Sequence, residues 1–442
     1  MRMPPIDKAL NEPQNTRNFW ITLFIYLSIF IYSFVFFKTP FEFYFAYLIY
    51  IVLLPVFITR YGLNRDFIIV FSVLFITGLF NIFIGNNTIA LFFKVFTGLC
   101  LSYFFYYYVV LEYDFNTEQL FKWYLKGSYI ASLIGIIQFV SFQIGFKPGY
   151  NYRWILNKGY PVLGGNFGIR VSSVFAEPSY LASTLAAAFF VALYNLFRKE
   201  NYYLTSFQGL IIILTYLLSF SSLGQLGLFL SFLLLALNFG LIRYTLIAIP
   251  AFIILFNVLY TNVSDFRQRY DGLISLISGE EFKLGTTHGS SFILYNNYAV
   301  TMKSFKTNFV FGTGIGSHPV TFEKYSLAKN FKVKGFNSNS ADANSMFLRI
   351  ISETGLFGLS LFMFIVFRHY VSRDPEYDSP HWLISNAILV IILVNLIRQG
   401  HYFLNGFPFF VILYYFNSLC YRMYRQSGKT LYENKLEQDA AA

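Results

Sequence analysis

Three stretches of the chain set charged and hydroxyl-bearing residues against apolar runs. The first reads Arg170-Val-Ser-Ser-Val-Phe-Ala-Glu177-Pro178-Ser179. Pro178 fits the first position of a helix, which puts Glu177 at the N-cap. There the helix dipole lowers a carboxylate pKa and weakens the group as a base, whereas burial raises it. Both readings stay open. Arg170 and Glu177 share a face if the stretch is helical, and can converge on a cavity if it is extended. The second stretch is Gly312-Thr-Gly314-Ile-Gly316-Ser-His318, followed by Asp342-Ala-Asn344-Ser345, Arg349 and Glu353-Thr-Gly355. Its Gly-x-Gly-x-Gly run is not a nucleotide loop, because no strand precedes it. Arg349 and Glu353 are an i, i+4 pair in an apolar helix. Charges buried there are paired or functional, and a structural ion pair and a working pair both fit. The third stretch is Arg398-Gln399-Gly400-His401-Tyr402. Arg398 and His401 share a helix face if the helix persists past Gly400. An Arg at membrane depth beside a His favours function over simple anchoring.

The elements that carry these residues follow from composition. The 442 residues are 56% hydrophobic and 12% charged, about half the charged share of a soluble protein. A membrane crossing needs about 20 apolar residues as helix, and such runs recur from Phe19 almost to the end. In lipid every backbone polar group needs an internal partner, so these runs mean helices and the fold is all-α. Barrel strands instead alternate apolar and polar residues. About twelve spans are predicted, near 19–37, 41–59, 67–84, 89–111, 123–145, 178–197, 203–221, 223–239, 242–260, 346–367, 382–399 and 403–421. No small-residue cleavage site follows the first run, which reads as a retained span.

Charge sets the orientation. With the N-terminus inside, the short cytoplasmic connections carry Arg60, Arg65, Lys122, Arg198, Lys199, Arg368 and Arg373, and the tail adds Arg422, Arg425 and Lys429. The short outer loops hold Lys38 or no cation. Two longer outer segments result, about 146–177 and 261–345. The second is too polar to span and too long for a plain connector, so it is functional or partly folded. Its nine Lys/Arg against six Asp/Glu suit an anionic partner such as a phosphate-bearing lipid, and ordinary solvated charge is the plainer account. The chain divides into 1–145 (helices one to five), 146–260 (outer loop and helices six to nine), 261–345 (large loop) and 346–442 (helices ten to twelve and tail).

The net charge of +11 lies largely in these connections and forms no nucleic-acid patch. Cys100 and Cys420 sit within or at the end of apolar runs and suggest neither a disulfide framework nor a metal site. No Asp-x-Asp or His/Cys cluster offers a divalent-ion site, so metal-independent chemistry without a cofactor is expected. Aromatic residues make up 21% of the chain. Tyr103 to Tyr108 fit an interfacial belt, and aromatic faces can also stack on sugar rings.

In order and topology the three stretches resemble the Wzy-type O-antigen and capsule polymerases, within the O-antigen ligase-like superfamily. Arg170-x-Ser-Ser-x-Phe-x-Glu177-Pro-Ser, Gly312-x-Gly-x-Gly-Ser-His318, Asn344 to Gly358 and Ile397-Arg-x-Gly-His-Tyr402 carry the resemblance. It covers spans six to twelve; the first five fit only in number and hydrophobicity. The resemblance implies a GT-C-like membrane fold in the bacterial inner membrane, with the active site facing the periplasm. It implies inverting transfer of a glycan from undecaprenyl diphosphate to the terminal sugar of a new lipid-linked repeat unit. The bilayer and a chain-length regulator are the partners it suggests. One group must remove the acceptor proton, and cations must stabilise the departing diphosphate. Glu177, His318 and Asp342 are the candidate catalytic residues. Arg170, Arg398, His401, Tyr402, Asn344 and Arg349 are the candidates for gripping diphosphate or glycan. O-antigen ligases carry a His-x-His-Asn-like stretch before span ten, where this chain has Asp342-Ala-Asn344-Ser345. That departure favours a polymerase over a ligase that hands glycan to lipid A core. A lipid-linked oligosaccharide transporter is the rival from another class; it would show internal repeats and mid-membrane charges, whereas the informative charges here lie at span ends.

Overall fold

Most of the apolar runs become helices in the computed structural model of the chain. It describes residues 19–37, 42–156, 162, 164–165, 168–240, 245–262, 264–278, 289–327, 339–374 and 379–441. The polar residues 1–18, Lys38, Lys283, Lys329, Lys332 and Lys334, on which parts of the topological reading fall, lie outside these. In chain order the helices are α1 (Phe19–Phe30), α2 (Phe45–Tyr61), α3 (Arg65–Phe83), α4 (Ile89–Glu112), α5 (Thr117–Gln143), the short α6 (Lys147–Tyr150), α7 (Pro178–Arg198), α8 (Ser206–Leu218), α9 (Ser222–Asn238), α10 (Thr245–Asn262), α11 (Ser264–Ile277), α12 (Gly289–Thr307), α13 (His318–Tyr325), α14 (Met346–Arg368), α15 (His381–Arg398) and α16 (Phe407–Ala441). Among the described residues, α3, α4, α5, α7, α14 and α15 are long and apolar enough to cross a membrane, and α2, α8 and α9 are shorter apolar helices. The chain is an all-α polytopic membrane protein.

Two expected spans are shorter at their junction than hydropathy implies. The first helix stops at Phe30, and the second begins only at Phe45. Between them β1 (Val35–Phe37) pairs antiparallel with β2 (Phe43–Tyr44). Phe and Tyr suit a pleated surface as well as a membrane helix, so hydrophobicity alone does not separate the two there. A second small pair, β3 (Gly164–Gly165) with β4 (Gly168–Ile169), lies just before Arg170. The long polar segment after α10 holds the helices α11, α12 and α13.

Helix α7 is the centre of the bundle. Its residues are buried almost continuously from Leu181 to Asn195, and it packs against α8, α9 and α15. The alanines at 182, 186, 187, 188 and 192 leave no bulk between backbones, so neighbours approach closely. Tyr124 of α5 ties in by donating to the Thr184 carbonyl at 2.6 Å and accepting from the Ala188 N–H at 3.2 Å.

Helix α14 is broken in the middle. Gly355 sits at φ 64°, ψ −162°, which strands backbone groups on either side of the break. The glycine-rich turn supplies their partners. Thr313 N–H donates to Ser352 O at 3.1 Å and Gly314 N–H to Glu353 O at 2.8 Å, while Leu356 and Phe357 donate to Phe309 O and Val310 O at 2.9 and 3.0 Å. The backbones are so close that a Cβ on Gly312 would lie 2.5 Å from the Glu353 carbonyl carbon. The Gly-x-Gly-x-Gly run is therefore the plug of a helix break, which fixes the turn and His318 against Glu353.

Candidate functional site

The site lies where α7 and α14 begin and α15 ends. Ahead of α7 residues 173–177 form turns and bends, and the segment is strapped down. Gln138 Oε1 of α5 accepts from the N–H groups of Ser172 and Ser173 at 3.0 and 2.8 Å, and Ser173 Oγ donates to Ala131 O at 2.6 Å. Val171 N–H reaches Leu218 O at 3.0 Å. The adjoining half-buried Arg170 turns its Nε to Ser219 O at 3.5 Å. Glu177 is the N-cap residue with Pro178 at the first helical position; its side chain makes no capping bond and instead accepts from Ser179 Oγ at 2.9 Å. Glu177 is exposed. One turn in, Tyr180 places its hydroxyl 3.4 Å from His401 Nε2.

The second group is enclosed. Arg349 and Glu353, at 4% and 0% exposure, pair at 3.0 Å. The same guanidinium donates from Nη1 to Gly400 O at 2.8 Å and lies 4.2 Å from the centre of the Tyr402 ring. His318 is fully buried, with Nδ1 3.2 Å from Ser352 Oγ and Nε2 3.0 Å from Asn297 Oδ1. Burial, and then the nearby Arg349 charge, pushes its imidazole down to about 3, so it is neutral at physiological pH.

The third group joins the two. Asp342 Oδ2 lies 3.0 Å from His401 Nε2; the carboxylate is almost buried and the imidazole is 22% exposed. Asn344 N–H donates to Asp342 Oδ1 at 3.1 Å. Ala343 and Asn344 both take left-handed backbone, φ 56° and 55°; for Ala343 that costs about 1–2 kcal/mol, a strain that turns Asp342 toward the histidine. Burial acts to raise the Asp342 pKa, but His401, the Asn344 N–H and Arg349 outweigh it and hold the carboxyl down at about 2. Asp342 is ionised and poorly basic.

Of the residues expected at the site, His318, Asp342, Asn344, Arg349, His401 and Tyr402 meet in one contiguous cluster, and Glu177 reaches it through Tyr180. Arg398, half-buried, is the last residue of α15. The helix does not persist past Gly400, so Arg398 and His401 do not share a helix face. Gln399 is already extended at φ −134°, ψ 118°, and Gly400 packs so tightly that a Cβ would lie 1.4 Å from the Asp342 carbonyl oxygen. The helix must end for that crossing to form. Sequence reasoning missed Tyr180, Ser352, Asn297 and Glu42. The carboxylates of Glu177, Asp342 and Glu42 all lie within electrostatic reach of the Tyr180 hydroxyl. Glu42 had a readable signal, a carboxylate between Phe41 and Phe43 in an apolar run; Tyr180 had none among the many tyrosines. Among the described residues no group of three or more His, Cys, Asp and Glu side chains forms a metal-binding set.

Multiple apolar helices with a buried, charged cluster at their common end define a multi-pass membrane protein with a polar site at one end of its bundle. The model of the family Wzy_C, described as O-antigen ligase, matches residues 207–363. That match, about a third of the chain, supports the O-antigen ligase-like superfamily, whose members are glycosyltransferase-like enzymes. It runs from α8 into α14 and takes in His318, Asp342, Asn344 and Arg349, with Arg170, Glu177, Arg398, His401 and Tyr402 on either side. No curated protein matches the chain.

Proposed function

We propose that the protein transfers a glycan from a polyprenyl-diphosphate carrier to a sugar hydroxyl at the periplasmic face of the bacterial inner membrane, extending lipid-linked repeat units into a polysaccharide. The observation that carries this reading is the Asp342–His401 pair at 3.0 Å, set beside the Tyr180 hydroxyl and three residues from Arg398. Asp342 takes the Nε2–H of His401, which leaves Nδ1 as the nitrogen with a lone pair. The acceptor O–H gives its proton to that nitrogen as its oxygen attacks the anomeric carbon. The bond from that carbon to the diphosphate oxygen breaks, and the diphosphate leaves with the electron pair. Asp342 stabilises the imidazolium so formed. Arg398 and Arg170 are the cations assigned to the diphosphate, because a planar guanidinium binds phosphate oxygens in pairs. His318 has both ring nitrogens engaged and lies away from solvent, so we assign proton transfer to His401 instead, with Glu177 at the exposed rim.

The family description favours a second reading, transfer of a finished glycan by a ligase to lipid A core. The Asp342-Ala-Asn344-Ser345 stretch supports polymerisation. A surface-glycan gel from a deletion strain separates the two: loss of a polymerase leaves single-repeat products, and loss of a ligase leaves undecorated core.

A further inference from the structure

The loop between α15 and α16 carries His401 but has no regular structure of its own. Its carbonyls are nevertheless held from several directions. Arg349 Nη1 donates to Gly400 O at 2.8 Å, Tyr103 of α4 reaches Tyr402 O at 3.4 Å, and Tyr32, just after α1, donates to Phe403 O at 2.9 Å. Ser345 Oγ adds a bond to Leu396 O at 2.7 Å, at the root of the loop. Arg349 is the central member. It is anchored by Glu353, covers the face of Tyr402, and is buried on α14 one turn beyond the Asp342–Ser345 segment. Arg349 is 4% exposed and turned to Glu353, Gly400 O and the Tyr402 ring rather than outward, and a loop side chain gains a single geometry only when the backbone under it is fixed.

We infer that Arg349 is a positioning residue: with Tyr32 it pins the backbone of the 400–403 loop, and so holds His401 against Asp342, and it does not bind the diphosphate. The catalytic consequence rests on the glycan-transfer reading above, while the positioning itself does not. The phenol of Tyr32 comes from the turn after α1, outside the segment matched to the family, so the inference also assigns the N-terminal part of the chain a role in the site.

The experiment uses the full chain in lipid nanodiscs. Wild type, Arg349→Lys and Tyr32→Phe are treated with diethylpyrocarbonate, and modification of His401 is followed by peptide mass spectrometry against His381 as internal reference. Initial rates of glycan transfer are taken on the same preparations across lipid-linked donor concentration and pH. Both variants are expected to modify at His401 several-fold faster than wild type. Their kcat falls, by about tenfold or more in Arg349→Lys, with donor KM unchanged and the ascending limb of the rate–pH profile displaced. Unchanged His401 reactivity in both variants overturns the inference, as does a rise in donor KM with an unmoved pH profile in Arg349→Lys. If Arg349→Lys does not fold, Tyr32→Phe decides by the same readouts. His401→Gln separates the underlying reading: full activity there removes the catalytic role of His401, while the modification rates still report whether Arg349 and Tyr32 hold the loop.

Discussion

Replacing Asp342 by Asn changes one atom at the centre of the site, and the hydrogen bonds around that atom fix the outcome. Asp342 Oδ1 accepts from Asn344 N–H at 3.1 Å, and Oδ2 faces His401 Nε2 at 3.0 Å. In Asp342→Asn only the amide oxygen can keep the Asn344 bond, so the NH2 turns to His401. Nε2 must then accept, the ring proton moves to Nδ1, and the nitrogen that should receive the acceptor proton is blocked. The carboxylate assigned above to stabilising the imidazolium is lost as well. Base catalysis of this kind contributes about 10²- to 10⁴-fold, equivalent to about 3–5 kcal/mol of barrier. The variant retains the Asn344 bond and its packing, so it still inserts and folds. Initial rates of chain extension by reconstituted protein at matched levels should fall by about two orders of magnitude or more, with donor binding preserved. A rate within about tenfold of wild type would refute the assignment of the pair to proton transfer.

Three further perturbations test separate parts of the site. His318 is held neutral down to about pH 3 in the folded protein against an ordinary 6.5, so as pH falls below 6.5 the unfolded chain takes up a proton that the native state refuses. Stability is full above 6.5 and declines toward pH 3, by at most about 1.4 kcal/mol per pH unit from this group; thermal midpoints of His318→Gln should depend less on pH in that window. Gly400→Ala drives a methyl into the Asp342 carbonyl, and activity should collapse at matched expression with His401 displaced; wild-type rates would show that the crossing is not needed. Arg398→Lys keeps an interfacial cation but loses paired donors, and should cost about a hundredfold in rate, or roughly 3 kcal/mol; full activity would return Arg398 to the membrane anchors. For orientation, a cysteine at the exposed Lys324 position, in a background lacking Cys100 and Cys420, should react with an impermeant thiol reagent in intact spheroplasts, and labelling only after lysis would reverse the topology.

The helices were readable because a membrane span needs little beyond length and hydrophobicity, and the Glu177–Pro178 start of α7 because capping is local. The Arg349–Glu353 pair was readable for the same reason: i, i+4 spacing on a helix brings the two groups together. Contacts between distant segments set the features that sequence left hidden. The hairpin at Val35 and Tyr44 was hidden because aromatic residues suit strand and span alike. The break at Gly355 depends on backbone bonds from a turn some forty residues earlier, and no local pattern announces it. The end of α15 was legible to within a residue, since the expected span stops at 399 and the helix at Arg398; the approach of Gly400 to Asp342 and the Asp342–His401 pair beside it were not.

Reconstitution tests the proposed glycan transfer from a lipid diphosphate at these helix ends. Purified protein in nanodiscs, given lipid-linked repeat units without nucleotide sugars or added metal, should yield a ladder of products differing by one repeat, and Asp342→Asn and His401→Gln should both abolish it. Input repeat units recovered unchanged from folded wild-type protein would contradict glycan transfer by this protein, and a ladder that persists in both variants would contradict the role of the Asp342–His401 pair.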